Sequence, residues 1–375
     1  MSNEVFKYQL PESLSFTTYV EVENDINAKI NNSFKYVVLD ATNTRYISSA
    51  GLRVILGLKN KGFDVSVINA STEVFDILDM TGFTKIITVE RALRQVSIEG
   101  CPLIGKGAHG TVYSLAPDTI VKIYREDTSI DDIKNERELS KKAFVLGLPT
   151  AIPLDIVRVG NQYGTVFELL NATSCVKYIM ESQENTDNFI DKAAALLKQI
   201  HAIKITDGSL PDMKGKTLHY VDVIHPYIKE DEYKKILKIV KDIPESKTLL
   251  HCDFHLKNQL MVNNELMLID MDTLCIGDPV FELASICNSY YEFGIISEEA
   301  VVTFLDIPLE KANYLWRGIS RKYYSDLNDE EYQKRCDEAR LIGIIRAIHF
   351  FKKRNFEQKY IDKCLSELSE LLKDR

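Results

Sequence analysis

Apolar and polar positions change rhythm along this chain, and the rhythm divides it. Tyr36-Val37-Val38-Leu39-Asp40 is a short, β-branched, nearly continuous apolar run, the pattern of a buried strand. Asp64 to Asn69 sets Val65 and Val67 between polar neighbours, with Ile68 next, and predicts a second strand. Between them, Ser48-Ser49-Ala50-Gly51-Leu52-Arg53-Val54-Ile55-Leu56 predicts a helix opening on a capping serine. Ser71 caps another, with Val74, Ile77 and Leu78 on one face and Gly82 just past its end. Strand, helix, strand, helix within ninety residues predicts a small α/β unit.

A second unit follows without a long flexible stretch between Arg91 and Gly100. Ile120-Val121-Lys122-Ile123-Tyr124 is an apolar strand holding one lysine. Asp132 to Leu146 has helical period, with Ile133, Leu139, Ala143 and Leu146 apolar, and stops at Gly147 before Leu148-Pro149. Thr165 to Leu170 predicts a strand running into a polar loop, and Asp191 to Ile203 a helix with Ala194, Leu197 and Ile200 inward. His201 on that helix reads as a packed side chain rather than a ligand. Leu260-Met261-Val262 and Leu266-Met267-Leu268-Ile269 are short apolar runs, and helical patterns return at Leu341 to Phe351 and Tyr360 to Leu372. This order predicts an α+β unit, largely helical in its later part.

Composition narrows the class. The 375 residues are 45% hydrophobic and 27% charged, as in globular proteins, and length alone suggests two or three domains. A formal net charge of -9 argues against a broad electrostatic grip on nucleic acid or anionic lipid. No run of about 18 apolar residues predicts a membrane span, and MSNEVFKYQL does not read as a signal peptide. Seven cysteines without paired spacing suit free thiols in a reducing cytoplasm.

The stretches VVLDATNTRYISSAGLRVILGL and DVSVINASTEVFDILDMTGF resemble a STAS domain, the fold of bacterial anti-sigma factor antagonists, over residues 1–92. The resemblance implies a regulatory role and a possible protein partner. It also implies that Ser49, at the helix start, is a phosphorylation site, because phosphate there meets free N–H groups and the positive end of the helix dipole. Ser48 stands where the family usually has an acidic residue. Helix capping alone also accounts for both serines.

Chemistry concentrates in the second unit. Ile104-Gly105-Lys106-Gly107-Ala108-His109-Gly110 holds a G-x-G-x-x-G whose flanks read as two strands rather than strand and helix, as in the lid of a kinase-like N-lobe. Lys122 in the next strand needs a partner, because burying an ammonium alone is costly. Glu136, one turn into the following helix, supplies it and aims the lysine at nucleotide phosphates; Glu138 points elsewhere. In such a lobe Glu168 to Leu170 is the hinge whose backbone meets adenine. His251-Cys252-Asp253-Phe254-His255-Leu256-Lys257-Asn258 then poses a choice. A zinc site from His251, Cys252 and His255 lacks a fourth ligand and a recognised spacing. The catalytic-loop pattern H-x-D-x-x-x-x-N accounts for each position: Asp253 takes the acceptor's proton, and Asn258 with Asp270 holds magnesium through hard oxygen donors.

HCDFHLKN and LIDMDTLCIGDPVFELASI are similar to the HGDLHPGN and ID…GDP..DLA signatures of the aminoglycoside phosphotransferase and choline kinase superfamily. That resemblance spans residues 96–375, with an N-lobe over 96–168 and a C-lobe over 169–375. It implies a bilobal protein-kinase-like fold that uses ATP and Mg2+ to phosphorylate an alcohol. His255, where protein kinases usually carry lysine, and the few residues from Asp270 to Gly277-Asp278-Pro279 favour a small-molecule acceptor such as an aminoglycoside, amino alcohol or sugar. Asp272, Asp278, Glu282, Tyr290, Tyr291 and Glu292 are expected near that acceptor, an acidic lining suited to a cation, although turn and helix chemistry also explain Asp278 and Glu282. The alternative is a partner-switching protein whose kinase-like unit phosphorylates a protein serine, Ser49 included, or only senses nucleotide. Cys252 departs from the superfamily's usual glycine.

Overall fold

Four strands build the first sheet: Glu4–Gln9, Phe34–Asp40, Asp64–Ala70 and Thr88–Arg91, all parallel and in that spatial order. The computed structural model describes residues 4–31, 33–107 and 110–373, in two compact units, residues 1–97 with 156–163 and residues 98–155 with 164–375. Parallel strands need crossovers, supplied here by helices Tyr19–Lys29, Ser49–Asn60 and Thr72–Met80. Val37, Leu39, Val65 and Val67 meet Ile26, Ile55, Leu58 and Leu78 in one core. The run at residues 36–40 is not buried on both faces as its continuous apolarity suggested. Val37 and Leu39 are buried while Tyr36 and Val38 are only half covered, because successive side chains leave a strand on opposite faces.

Serine chemistry sets the helix starts. The Ser48 side chain accepts from Gly51 N, and the Ser71 side chain accepts from Val74 N, so each satisfies one orphan donor of the first turn. Gly82 follows the second helix in the left-handed region at φ 80. Gly51 has a packing reason: a Cβ there would strike the backbone carbonyl of Leu14.

In the second unit, strands Leu103–Lys106, Gly110–Ala116 and Thr119–Tyr124 run antiparallel, and Thr119–Tyr124 pairs in turn with the end of Gln162–Glu168, Lys122 lying opposite Thr165. Helix Ile130–Val145 opens on Ser129, two residues earlier than its apolar period suggested, because the cap and Asp131 and Asp132 make the first turn. Ala108 and His109 of the expected glycine loop lie outside the described residues.

The rest is mainly helical: Gln183–Ala202, Met213–Ile224, Glu230–Asp242, Val280–Cys287, Leu309–Tyr323, Asp329–Lys353 and Gln358–Leu371. The helix expected from Asp191 begins eight residues earlier, at Gln183, where the Ser182 side chain accepts from Asn185 N. The helix expected from Leu341 begins at Asp329, where Asn328 and Glu331 form a capping box. Its buried face, with Ile342 and Ala339, packs beside Phe281, Leu283 and Tyr290 in the main core. Trp316 and Tyr324 belong to that core too. Antiparallel strands Gln259–Val262 and Glu265–Leu268 stand against this helical mass and present the loops that carry the site. Among the described residues no helix is long and apolar enough to cross a membrane, and all seven cysteines are free.

Candidate active site

Lys122 leaves its strand into a pocket of two carboxylates. Its Nζ lies 2.8 Å from Glu136 Oε1 and 3.2 Å from Asp270 Oδ1. Burial would lower the ammonium's pKa, but Asp270 and Glu136 overcome that and raise it, so the lysine stays charged. Glu136 is buried, whereas Glu138 is exposed and pairs with Lys141. Gly110 must be glycine, since a Cβ would collide with the Ile123 carbonyl, and Gly107 N donates to Gly110 O across the loop at 2.9 Å. Gly105 lies at the end of the preceding strand. At the expected hinge, the Glu168 carboxylate accepts from Ile152 N at 2.8 Å, Leu169 N donates to Asp118 O, and Leu170 follows half-buried.

Asp253, His255 and Asn258 form a second group. Asn258 Nδ2 donates to Asp253 Oδ2 at 2.7 Å and to the Asp253 carbonyl at 3.1 Å. His255 Nε2 lies 3.3 Å from the same Oδ2. Burial alone would raise the Asp253 carboxyl, but His255, Arg346 and His251 hold it well below the usual carboxylate range. Asn258 and Asp270 are tied through backbone: Ile269 N donates to Asn258 O at 2.9 Å.

The loop itself is held from behind by groups the sequence did not assign to it. Glu282, fully buried on helix Val280–Cys287, accepts from His251 N at 2.6 Å and from Cys252 N at 2.8 Å. Ser285 Oγ and Arg346 Nη1 each donate to Cys252 O at 2.8 Å, Thr273 Oγ1 donates to His251 O, and Leu256 N donates to Tyr290 Oη at 2.9 Å. Burial opposes ionisation of Glu282, but His201, His251 and the Cys252 amide pull its pKa below the ordinary value. His201 is indeed a packed side chain, its Nδ1 2.7 Å from Tyr323 Oη.

Two non-glycine residues of the site have left-handed backbone, Cys252 at φ 62 and Asp270 at φ 66. Such conformations cost about 1–3 kcal/mol and persist where the surroundings over-determine them. Position 252 therefore wants glycine on backbone grounds, and Cys252 occupies it with its Sγ 3.2 Å from Cys275 Sγ in the core.

The zinc alternative fails on geometry. His251 Nδ1 accepts from Asp253 N, His255 turns to Asp253 and Cys252 to Cys275. Among the described residues no three His, Cys, Asp or Glu side chains are grouped for a metal. Magnesium fits better. Asn258 is tied to Asp253 through its Nδ2, so its Oδ1 is the atom that would serve as a hard donor, and Asp270 would add a carboxylate; phosphate oxygens and water complete such sites.

Most of the acidic acceptor lining expected from the sequence is committed elsewhere. Asp278 caps its own turn, accepting from Val280 N, and pairs with Arg335 at 2.7 Å. Glu282 holds the loop, Tyr290 is fully buried, and Glu292 is buried against Arg340 at 2.6 Å. Tyr291 lies under the Arg340 guanidinium, whereas Asp272 is exposed. The resemblance put these residues near the acceptor but could not show that arginines of a distant helix claim Asp278, Tyr291 and Glu292.

A fold of this form, with a glycine lid, a lysine–glutamate pair and an Asp–Asn loop, is that of a kinase-like phosphotransferase. A family model described as "Phosphotransferase enzyme family" matches residues 100–307, and a STAS domain model matches residues 2–96. The chain belongs to the phosphotransferase enzyme family and carries a STAS domain ahead of the matched region. Among solved structures it is similar to the ADP-bound aminoglycoside phosphotransferase APH(2'')-Ib, at 20% identity over 73% of this chain and 92% of that one, with a TM-score of 0.48. It is also similar to a choline/ethanolamine kinase family protein from Mesorhizobium loti (12% identity, 72% and 88% covered, TM-score 0.48). A third is the amicoumacin kinase hAmiN with AMP-PNP and Ca2+ (12% identity, 75% and 91% covered, TM-score 0.48). Comparison with curated protein sequences finds no match.

Proposed function

We propose that this protein transfers the γ-phosphoryl group of ATP to a hydroxyl of a small molecule, and that the STAS domain regulates or localises that activity. The observation that carries the reading is Lys122 held between Glu136 and Asp270 on one side, with Asp253 bonded to Asn258 on the other. Lys122 and the backbone around Gly105, Gly107 and Gly110 hold the phosphates, and the backbone at Glu168 and Leu170 meets the base. Asn258 and Asp270 would hold Mg2+, which supplies charge neutralisation for the phosphates. Asp253 accepts the acceptor's hydroxyl proton as the oxygen bonds the γ-phosphorus and the bond to the ADP oxygen breaks. His255 positions Asp253. The test is ATP consumption with magnesium against amino alcohols, aminoglycosides, sugars and sugar acids, beside Asp253→Ala. Turnover with one acceptor, lost in the variant, is expected; equal turnover in both proteins would overturn the assignment.

One observation favours a regulatory second reading. Ser48 performs the capping, which leaves Ser49 exposed in the first helical turn. A phosphate on Ser49 would meet the free N–H groups there and alter the face offered to a protein partner. Mass spectrometry after incubation with ATP, with Asp253→Ala in parallel, tests whether the chain modifies itself. Phosphate on Ser49 only in the native protein supports it, and none in either ends it.

A further inference from the structure

Helix Asp329–Lys353 carries three arginines on its inner side, and they are used differently. Arg335 pairs with Asp278 at 2.7 Å and Glu338 at 2.9 Å, and Arg340 pairs with Glu292 at 2.6 Å. Arg346 has no carboxylate within ion-pair distance among the described residues; Nη1 donates to Cys252 O, immediately before Asp253. A guanidinium offers five N–H donors in a planar fork, and this one spends a single donor on the loop.

The neighbourhood continues the theme. Ile342, Arg346, His349 and Lys353 follow at helical spacing and share one face, Ile342 buried in the core and Lys353 exposed. From helix Met213–Ile224, the Tyr220 ring stacks on His349 at 4.2 Å, and His219 lies 6.2 Å from the same imidazole. Burial, Lys353 and His219 push the His349 pKa down, so that ring is neutral. Arg346 stands at the catalytic loop, and the face that runs on from it offers one ammonium, two imidazoles and a phenol. The carboxylates closest in sequence to the loop are occupied elsewhere: Asp278 with Arg335, Glu282 with backbone amides, Glu292 with Arg340. Asp253 and Asp270 belong to the phosphoryl side, with Asn258 and Lys122 as their partners.

Building on the phosphotransferase reading, we propose that the acceptor is a polyhydroxylated molecule bearing an oxyanion, a sugar acid or sugar phosphate, whose anionic group is held by Arg346 while its carbon skeleton lies on Tyr220 and His349. Arg346 suits the task because its fork matches carboxylate and phosphate oxygens and it already sits one residue from the proton acceptor. A polycation would meet Arg346 and Lys353 there, and Asp222, one turn past His219, already accepts from Tyr233 Oη.

The test measures binding and turnover separately, with the full chain. Calorimetric titrations with Mg2+ and AMP-PNP compare gluconate and glucose 6-phosphate with glucose and kanamycin. At least one anion is expected to bind ten-fold or more tightly than glucose, the better of the two telling carboxylate from phosphate. That affinity should fall 30-fold or more in Arg346→Gln and be partly kept in Arg346→Lys. Where turnover is seen, the acceptor KM should rise with the KM for ATP unmoved. Should Arg346→Gln fail to fold, Lys353→Gln and His349→Gln serve, with an expected three- to ten-fold loss. Kanamycin binding more tightly than both anions, neither anion binding at millimolar concentration, or anion affinity indifferent to these substitutions would overturn the inference. The phosphotransferase reading fails separately, if ATP turnover survives Asp253→Ala.

Discussion

Glu282→Gln isolates the strongest claim about how the site is built. The carboxylate accepts from two backbone amides, His251 N on Oε2 and Cys252 N on Oε1, in a fully buried place. The amide side chain has the same shape but one acceptor oxygen. With its oxygen at the Oε1 place it leaves His251 N unsatisfied. With its oxygen at the Oε2 place it keeps only the longer 3.0 Å bond from Cys252 N and turns its NH2 group at that same N–H. Orphaning a buried donor costs about 1–3 kcal/mol, and losing the charge on the remaining bond about 1 more. A local loss of about 2–4 kcal/mol corresponds to amides that open about 30- to 1,000-fold more often, at 1.4 kcal/mol per decade. Hydrogen–deuterium exchange on a peptide covering residues 249–256 reads this directly, and steady-state kinetics reads the consequence. Because a displacement of about 1 Å at a reacting group can cost about 100-fold, kcat should fall by one to two decades while the fold persists. Unchanged protection of residues 249–256 together with full kcat would refute the claim that Glu282 holds the loop.

Other substitutions test the site's parts. Lys122→Ala should lower kcat/KM for ATP by about 100-fold or more, as expected for removing a preorganised charge, and ATP titration of initial rates checks it. Asp253→Asn should lower kcat by about 100- to 10,000-fold, because the amide keeps the shape and loses the base, and steady-state kinetics with saturating ATP checks it. Cys252→Val should destabilise the second unit, since a β-branched residue at φ 62 is strained and overfills the contact with Cys275, and thermal melting beside Cys252→Gly reads the difference. The pH dependence has a definite sign. His251 is buried with its pKa lowered, so the unfolded chain binds more protons; its contribution is complete above the unfolded value near 6.5 and is lost as pH falls below it. Asp253 and Glu282, also lowered, add a further loss as pH falls through the carboxylate range, and acid unfolding of Glu282→Gln should lack its share.

What the sequence determined by itself was local chemistry in order along the chain. A lysine inside Ile120 to Tyr124, a glutamate one turn into the next helix, and Asp253 five residues before Asn258 each carry their meaning in short spacing, because strand and helix periods dictate which side chains share a face. Ser48 and Ser71, each before an apolar helical run, likewise announced their caps. Tertiary structure alone decided what crosses long separations. Lys122 reaches Asp270 over 148 residues, Cys252 N reaches Glu282 over 30, and Arg346 reaches Cys252 over 94. The carboxylates that looked like an acceptor lining became loop and helix anchors for that reason: periodicity says that a residue points inward, but packing of distant helices decides whether an arginine, a backbone amide or open space receives it.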